Sequence, residues 1–391
     1  MRTVTGSPVE GEDFFDREVE RRSMWRKLDS DSLLLLAPRR IGKTSLMRAL
    51  CAEAGEHDFG AFHLSFAACG DELACVRELG KALAGQEPVR DSILSGLKKQ
   101  LPGIKSLKFG PLGVDFAPGD SPDWRILGEA LARSIGALEG RWLIAVDEVP
   151  VFLLGLLKQP DGLARVRGFL YWLRDLRQDH HASIRWILAG SIGLDTVAAR
   201  HGIGDTVNDL VPTPLGAFDP KTADRFLLAL ADGSGLKLTK PVRTAIIDSL
   251  GWPVPYYLQI VFSKLQDLAD TEPPKKLNTA LVEQVFDDLL KPAHKGYFDY
   301  WRQRLTEELG SPDDVHAIHL LNHCARDPKG ASRDTIDRAL AERIRAPESR
   351  EERLRYLLDV LESDGYLVQI EGRWRFRLEL LRRYWLQRVA P

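Results

Sequence analysis

The strongest constraint on the fold is a short apolar run followed at once by a basic turn that contains glycine. Residues 32–36 read Ser-Leu-Leu-Leu-Leu, and residues 37–44 read Ala-Pro-Arg-Arg-Ile-Gly-Lys-Thr. An uninterrupted apolar run of this length is typical of a strand buried on both faces. The residues from Thr44 to Ala54 then predict a helix. A strand, a glycine turn and a helix in this order predict a phosphate-binding loop at a helix N-terminus, where backbone N–H groups face an anion.

The residues of this turn, called the phosphate loop below (residues 37–44), suit the binding of Mg²⁺ with ATP or ADP. Gly42 gives the backbone freedom, Lys43 supplies a point charge for the β- and γ-phosphates, and Thr44 supplies a hydroxyl for Mg²⁺. Ala37 replaces the first glycine of the pattern G-x-x-x-x-G-K-[ST], so the loop departs from the pattern there. The predicted nucleotide contacts are Pro38, Arg39, Arg40, Ile41, Gly42, Lys43, Thr44 and Ser45.

A second apolar strand ends in two carboxylates. Residues 142–146 read Trp-Leu-Ile-Ala-Val and precede Asp147 and Glu148. Beside the phosphate loop, Asp147 is predicted to hold Mg²⁺ through its water shell, and Glu148 to act as general base toward the attacking water. A further strand, 184–189, ends near Ser191, which we expect either to sense the γ-phosphate or to cap the next helix. Together these motifs favour ATP hydrolysis over nucleotide binding alone.

Strand and helix patterns alternate through the first half of the chain. Residues 59–66 and 211–215 have strand character, and 71–84 helical character. Strands that alternate with helices predict an α/β domain, here residues 1–218, whose parallel sheet is covered on both faces. Glycines, prolines and two alternating runs near 101–120 predict an inserted β-hairpin, which is either a surface excrescence or a docking element.

Helical patterns replace strands after residue 218. A small helical domain, residues 219–293, is predicted from helices at 220–232, 239–250, 254–268 and 278–290. The last domain, residues 294–391, has helical stretches near 313–325, 332–342 and 349–363, then two alternating runs joined at Glu371-Gly372. Such runs around a two-residue turn indicate a hairpin. Three helices followed by a hairpin predict a winged helix-turn-helix.

Arginines alternate along the predicted wing. Arg373, Arg375 and Arg377 should share one face, with Trp374 and Phe376 packed inward on the other. Such a face suits the phosphates of duplex DNA. Acidic residues interspersed in the preceding helix indicate equally a salt-bridged surface for a protein partner. The sequence leaves DNA, a protein partner and self-assembly open.

Composition and charge argue against a strongly basic nucleic-acid-binding protein, a secreted protein and a membrane-spanning protein. The formal net charge is −2, so nucleic acid would have to be bound by a local patch. The four cysteines form no Cys-x-x-Cys pair, which is typical of a reducing cytoplasm. No apolar run is long enough to span a bilayer, and the N-terminus has no signal-peptide pattern. We therefore expect a cytoplasmic protein without membrane contact.

These motifs resemble those of the archaeal-type ATPases in the STAND branch of the AAA+ superfamily. The resemblance rests on the segments Phe15-Asp16-Arg17-Glu18-Val19-Glu20, Pro38-Arg39-Arg40-Ile41-Gly42-Lys43-Thr44-Ser45-Leu46, Asp147-Glu148-Val149, Gly190-Ser191 and Gly251-Trp252-Pro253. It implies a P-loop sheet in the order 5-1-4-3-2, a helical lid and a C-terminal winged helix. It also implies that Arg17 lies near the adenine and that Pro253 approaches the base.

The resemblance implies an ATP-driven switch whose hydrolysis is slow or stimulated by a partner. The alternative is a nucleotide-gated adaptor with negligible hydrolysis, which docks a partner through residues 101–120. A small-molecule kinase is not favoured, because a lid and a winged helix follow the sensor strand where an acceptor pocket would be needed. Arg177, Arg185 and Arg200 lie near that strand, and the sequence does not single out any of them as an arginine finger.

Overall fold

The computed structural model describes residues 1–101, 107–110, 113–116, 123–190, 193–271 and 277–390. Their contacts divide the chain into two compact units. The sheet unit comprises Arg17–Ala37 and Lys43–Leu215, and the helical unit comprises Met1–Asp16, Pro38–Gly42 and Gly216–Pro391. The middle of the phosphate loop therefore packs within the helical unit, whereas its two ends belong to the sheet unit.

The sheet unit is built on a parallel sheet with an added hairpin. Its strands are β1 (Leu33–Leu36), β2 (Phe59–Ser65), β3 (Leu107–Gly110), β4 (Gly113–Phe116), β5 (Arg141–Asp147), β6 (Ile184–Ala189) and β7 (Val211–Pro214). Five of them form a parallel sheet in the order β2-β5-β6-β1-β7. Numbered among themselves these strands run 2-3-4-1-5, which reads 5-1-4-3-2 from the opposite edge. The α/β class and the five predicted strands are confirmed.

Eight α-helices are described in the sheet unit, namely α1 (Glu18–Leu28), α2 (Lys43–Glu53), α3 (Glu72–Ala84), α4 (Glu87–Gln100), α5 (Trp124–Gly136), α6 (Val149–Leu157), α7 (Gly162–Asp179) and α8 (Leu194–Arg200). The sheet strand β5 is buried throughout from Trp142 to Asp147, as a strand between two helical layers must be. In that core an ideal Cβ at Gly128 of α5 would lie 2.2 Å from Cζ2 of Trp172 in α7. Only glycine allows this approach.

The predicted hairpin is present between α4 and α5. Strands β3 and β4 pair antiparallel, with Leu107 opposite Phe116 and Gly110 opposite Gly113. Residues 102–106, 111–112 and 117–122 of the same segment lie outside the described residues. Helices α4 and α5 were not predicted, although the buried residues Leu127, Leu131 and Ile135 of α5 recur every four positions, which is a helical period.

The helical unit adds nine described α-helices and a small sheet. The helices are α9 (Pro220–Ser234), α10 (Lys240–Leu250), α11 (Pro255–Thr271), α12 (Thr279–Leu289), α13 (Asp299–Leu309), α14 (Asp313–Arg326), α15 (Arg333–Ala341), α16 (Pro347–Ser363) and α17 (Glu379–Arg388). The strands β8 (Ala331–Ser332), β9 (Leu367–Ile370) and β10 (Arg373–Phe376) form an antiparallel sheet in the order β8-β10-β9. The predicted helices and terminal hairpin are confirmed, and α13 and α17 are additional.

Aromatic side chains tie the parts of the helical unit together. The indole N–H of Trp301 in α13 donates to the hydroxyl of Tyr257 in α11, at 2.8 Å. The hydroxyl of Tyr366, just before β9, donates to the carbonyl of Trp301, at 2.6 Å. Residues 219–293 and 294–391 therefore pack as one unit, and their division into two domains stays a prediction. Within the described part of the chain, no helix combines the length and apolarity needed to cross a bilayer.

Candidate nucleotide-binding site

Thr44 and Asp147 meet at the carboxyl ends of the strands of the sheet unit. Thr44 lies in the first turn of α2, and its hydroxyl donates a hydrogen bond to Oδ2 of Asp147, at 2.5 Å. Asp147 ends β5, and its side chain is buried with 4% of the residue exposed. Oδ1 of Asp147 accepts a hydrogen bond from the N–H of Glu148, at 2.9 Å. The fold thus places a hydroxyl and a carboxylate side by side that are 103 positions apart in the sequence.

A hydrogen bond from Lys43 connects the two ends of the phosphate loop. The Lys43 ammonium donates to the carbonyl of Ala37, at 2.6 Å, and the lysine is 7% exposed. A buried ammonium requires acceptors, and the carbonyl of the residue that replaces the first glycine supplies one. Gly42, just before Lys43, has φ +102°, a conformation that L side chains rarely adopt. Glycine is therefore needed at Gly42, the second glycine of the pattern.

Glu148 occupies a sharp junction between β5 and α6. Its φ is +56°, in the left-handed region, and it is the N-cap residue of α6. A non-glycine residue persists in that conformation only where its surroundings fix it. The hydrogen bond from its N–H to Asp147 and the proline at position 150, in the first turn of α6, provide such constraints. Glu148 thus follows Asp147 at the edge of the sheet, and its side chain is partly exposed.

The two arginines of the phosphate loop lie against aromatic rings of the helical unit. The guanidinium carbon of Arg40 is 4.2 Å from the ring centroid of Tyr256 and 5.3 Å from that of Tyr300. The guanidinium carbon of Arg39 is 5.6 Å from the Tyr300 ring. These tyrosines were not among the predicted site residues. The pair Tyr256-Tyr257, two residues after Gly251-Trp252-Pro253, is an aromatic signal in the sequence, but nothing local links it to the loop.

Pro38 and Pro253 also lie within the helical unit. An ideal Cβ at Gly365, in the turn before β9, would lie 2.9 Å from Cγ of Pro38 and 2.8 Å from the ring of Trp252. Pro38 therefore lies so close to Gly365 that a side chain at position 365 would clash with it. Pro253 is buried, and its carbonyl accepts a hydrogen bond from the N–H of Phe218, at 3.2 Å.

Other predicted site residues are buried by their local structure. Ile41 and Ser45 are 1% and 6% exposed. Arg17 is 5% exposed at the N-cap of α1, with φ +65°, and its guanidinium pairs with Glu20 at 2.7 Å. Ser191 lies outside the described residues. The roles of all four in nucleotide binding stay predictions.

Two of the three arginine-finger candidates form buried hydrogen bonds within the sheet unit. Arg177 is 3% exposed and binds both carboxylate oxygens of Asp209, at 2.7 and 2.8 Å. Arg185 is 6% exposed and donates to the carbonyls of Leu28 and Asp29, each at 3.0 Å. Their guanidinium groups are occupied by these partners in the interior. Arg200, the last residue of α8, is exposed.

The three wing arginines differ in exposure and in their partners. The guanidinium of Arg373 donates to Asp327 at 3.0 Å and to the backbone carbonyl of Gly330. That of Arg377 donates to the carbonyl of Leu367 at 3.1 Å, and burial lowers its pKa. Arg375 is exposed. On the opposite face Trp374 and Phe376 are 6% and 5% exposed, so their predicted inward packing is confirmed. Binding of DNA by the arginine face stays a prediction, since Arg373 and Arg377 also donate to backbone carbonyls.

No protein-family model matches the chain, and no curated protein matches it. Among solved structures, the Walker-type ATPase PABY2304 of Pyrococcus abyssi is similar over 98% of this chain and 99% of its own, with a TM-score of 0.67 and 17% identity. The ORC2 protein of Aeropyrum pernix in its ADPNP-ADP complexes covers 99% and 97%, with a TM-score of 0.49 and 14% identity. The RuvB Holliday junction branch migration motor of Thermotoga maritima gives a TM-score of 0.44 and 13% identity over 94% and 95%. The first likeness establishes a shared fold along nearly the whole chain.

Proposed function

We propose that this protein is an ATP-hydrolysing molecular switch of the AAA+ class, in the STAND branch, which works with Mg²⁺. The observation that carries the proposal is the hydrogen bond between Thr44 and Asp147, which joins the phosphate loop to the strand end that carries Glu148. The fold shared with the Walker-type ATPase of Pyrococcus abyssi supports the same class.

The oxygen atoms at this edge fit a magnesium ion. Thr44 and Asp147 offer a hydroxyl and a carboxylate oxygen 2.5 Å apart. Within the described residues no group of three or more His, Cys, Asp or Glu side chains forms a metal site. Mg²⁺ is usually held by one or two protein oxygens, water and the phosphates of its nucleotide rather than by a cage of protein ligands. When bound there, Mg²⁺ neutralises charge that develops on the phosphate oxygens.

Each residue of the site has a separate proposed role in ATP hydrolysis. Lys43 exchanges its bond to the carbonyl of Ala37 for the β- and γ-phosphate oxygens, where its positive charge is stabilising. Glu148 accepts the proton of the water molecule whose oxygen attacks the γ-phosphorus, and the bond to ADP breaks. Ser191 is proposed to orient the γ-phosphate or this water, and Arg17 and Pro253 are each proposed to recognise the base. These last three roles rest on the resemblance of the sequence motifs.

The C-terminal part supplies the output of the switch. Helices α14, α15 and α16 with β8, β9 and β10 follow the order of a winged helix-turn-helix, with α16 as its recognition helix. Arg375 on β10 and Arg355 on α16 are exposed, the latter to 70% although its guanidinium lies 3.9 Å from a carboxylate oxygen of Glu351. In the same region Arg353 pairs with Asp313, and Arg350, Arg333 and Arg373 pair with Asp337, Glu351 and Asp327. Arg333 is exposed despite its pair, as are Arg338, Arg343 and Arg345 around α15 and α16. With Arg355 and Arg375, these arginines are the proposed contacts to duplex DNA or a protein partner.

The test is steady-state phosphate release from ATP with Mg²⁺, with and without duplex DNA. Glu148→Gln should keep nucleotide affinity and lose about 10²- to 10⁴-fold in turnover, because the general base is removed. Lys43→Ala should lose both. The matched pair for the output is Arg375→Ala, which should reduce any stimulation by DNA, and Arg355→Ala, which probes α16 in the same way.

The outcomes separate the alternatives. Wild-type turnover in Glu148→Gln would show that Glu148 is not the base. Tight ADP binding without measurable turnover would favour a nucleotide-gated adaptor that docks a partner through the β3–β4 hairpin. Turnover that does not respond to DNA would direct the search to a protein partner.

A further inference from the structure

Two arginines of the phosphate loop contact the rings of two tyrosines, and these tyrosines have no role in the reaction described above. Arg40 faces the rings of both Tyr256 and Tyr300, and Arg39 faces Tyr300. All four residues belong to the helical unit. A guanidinium within about 6 Å of an aromatic ring centroid is attracted by the negative face of the ring. Three such contacts therefore converge on two consecutive residues of the loop.

These contacts act where the backbone of the loop is least relaxed. Arg40 has φ +68°, in the left-handed region, and lies two residues before Gly42, with its φ of +102°. A left-handed arginine is held in place only if its surroundings fix it. Its side chain is exposed, so packing in a core does not fix it. The two rings are the contacts that can hold this residue.

The rings have firm support of their own. The hydroxyls of Tyr300 and Tyr257 share a hydrogen bond of 3.0 Å, and Tyr257 is fully buried and accepts from Trp301. Burial raises the pKa of Tyr300 to about 12, so this hydroxyl stays protonated at neutral pH. Tyr256 lies in the first turn of α11, next to Tyr257. The rings thus form a fixed platform on which the loop is placed.

We propose that Tyr256 and Tyr300 are positioning residues for the binding of nucleoside di- and triphosphates, and that they act through Arg40. The inference rests on the proposed function, since it concerns the same loop. The backbone N–H groups of residues 38–43 must converge on phosphate oxygens. A loop that is already ordered loses less conformational entropy on binding than one that must be ordered by the ligand. The platform therefore raises nucleotide affinity without taking part in the chemical step.

The experiment compares variants that differ in the ring alone. Tyr256→Leu removes the aromatic face and keeps an apolar side chain of similar bulk, whereas Tyr256→Phe keeps the face and removes only the hydroxyl. Arg40→Met removes the cation and keeps an unbranched apolar side chain in place of the arginine stem. Each variant and the double variant Tyr256→Leu with Arg40→Met are titrated with ADP by calorimetry, and KM and kcat are measured with ATP and Mg²⁺.

Tyr256→Leu should raise the Kd for ADP and the KM for ATP about five- to tenfold, as expected for loss of one partly desolvated cation–π contact. Its kcat should stay within about twofold of wild type. Tyr256→Phe should behave as wild type. The double variant should bind no more weakly than Arg40→Met alone, because the ring acts only through that cation.

Three results would overturn the inference: wild-type affinity in Tyr256→Leu, additive losses in the double variant, or a fall in kcat at unchanged KM. Arg40→Met changes an exposed side chain, so it reports on the same contact if the leucine variant does not fold. In that case, wild-type affinity in Arg40→Met overturns the inference as well. A wild-type protein that binds no ADP, equal to Lys43→Ala, would instead reject the proposed function.

Discussion

Replacing Asp147 with asparagine separates the structural role of this carboxylate from its proposed role toward magnesium. Asp147 accepts hydrogen bonds from the hydroxyl of Thr44 and from the N–H of Glu148. Asparagine has nearly the same shape. Its carbonyl oxygen can accept from the N–H of Glu148 while its NH₂ group donates to the Thr44 oxygen. Both hydrogen bonds therefore survive, and the variant loses only the negative charge.

The expected loss of stability is small. Hydrogen bonds to a charged group contribute about 1.5–3 kcal/mol and neutral ones about 0.5–1.5 kcal/mol, so two bonds together lose about 2 kcal/mol. The charge is buried at 4% exposure, and its removal returns part of that loss as relieved desolvation. A net loss of about 1 kcal/mol corresponds to a fall in Tm of roughly 2–4 °C for a unit of this size.

The expected loss toward magnesium is much larger. A carboxylate that acts through the water shell of a metal typically changes metal affinity by about 10- to 100-fold when it is removed. We therefore expect Asp147→Asn to need about 10- to 100-fold more Mg²⁺ for half-maximal ATP turnover. The assay is a Mg²⁺ titration of phosphate release beside a thermal unfolding curve of the same preparation.

The matched control is Asp209→Asn. Asp209 forms a bidentate pair with buried Arg177 in the same unit, so its loss should cost more stability, about 1.5–3 kcal/mol. Its Mg²⁺ requirement should equal that of wild type. An unchanged Mg²⁺ midpoint in Asp147→Asn would refute the assignment of Asp147 to the metal. A fall in Tm greater than that of Asp209→Asn would refute the hydrogen-bond reasoning.

Two further predictions concern stability. Gly128→Ala should destabilise the sheet unit by about 1–3 kcal/mol, because the new Cβ would lie 2.2 Å from Trp172. Thermal unfolding measures this, and the control is Gly155→Ala, at an exposed site in α6 with open space around it. The control should be neutral or stabilising by up to about 1 kcal/mol. Asp219→Ala should cost about 1 kcal/mol at pH 7, because the carboxylate caps α9 by accepting from the N–H groups of Lys221 and Thr222. The pKa of Asp219 is lowered from its ordinary 3.8, chiefly by hydrogen bonds from Thr222, so its contribution is present above that value and lost as the pH falls through the lowered pKa. Urea unfolding at pH 7 and pH 3 measures this, and an undiminished difference at the lower pH would contradict it.

Local patterns in the sequence determined the secondary structure around the site. The apolar runs at 32–36 and 142–146 became β1 and β5, each followed by its polar residues. The hairpins also follow from short alternating runs around glycine turns. These features depend on side-chain period and turn chemistry, which act over a few residues. These local patterns did not predict helices α1, α4, α5, α6, α7, α13 and α17.

Only the tertiary structure decided which partner each charged side chain has. Arginine carries the same charge in every context, yet the buried Arg177 binds a carboxylate, Arg377 a backbone carbonyl and Arg40 two aromatic rings. These partners lie on other elements, ten or more positions away in sequence, and their approach depends on how strands and helices pack. A periodic pattern fixes the face on which a residue lies, but a long flexible side chain can reach several acceptors from that face. The sequence therefore determined where the phosphate loop begins and ends, and the packed structure determined that its arginines rest on Tyr256 and Tyr300.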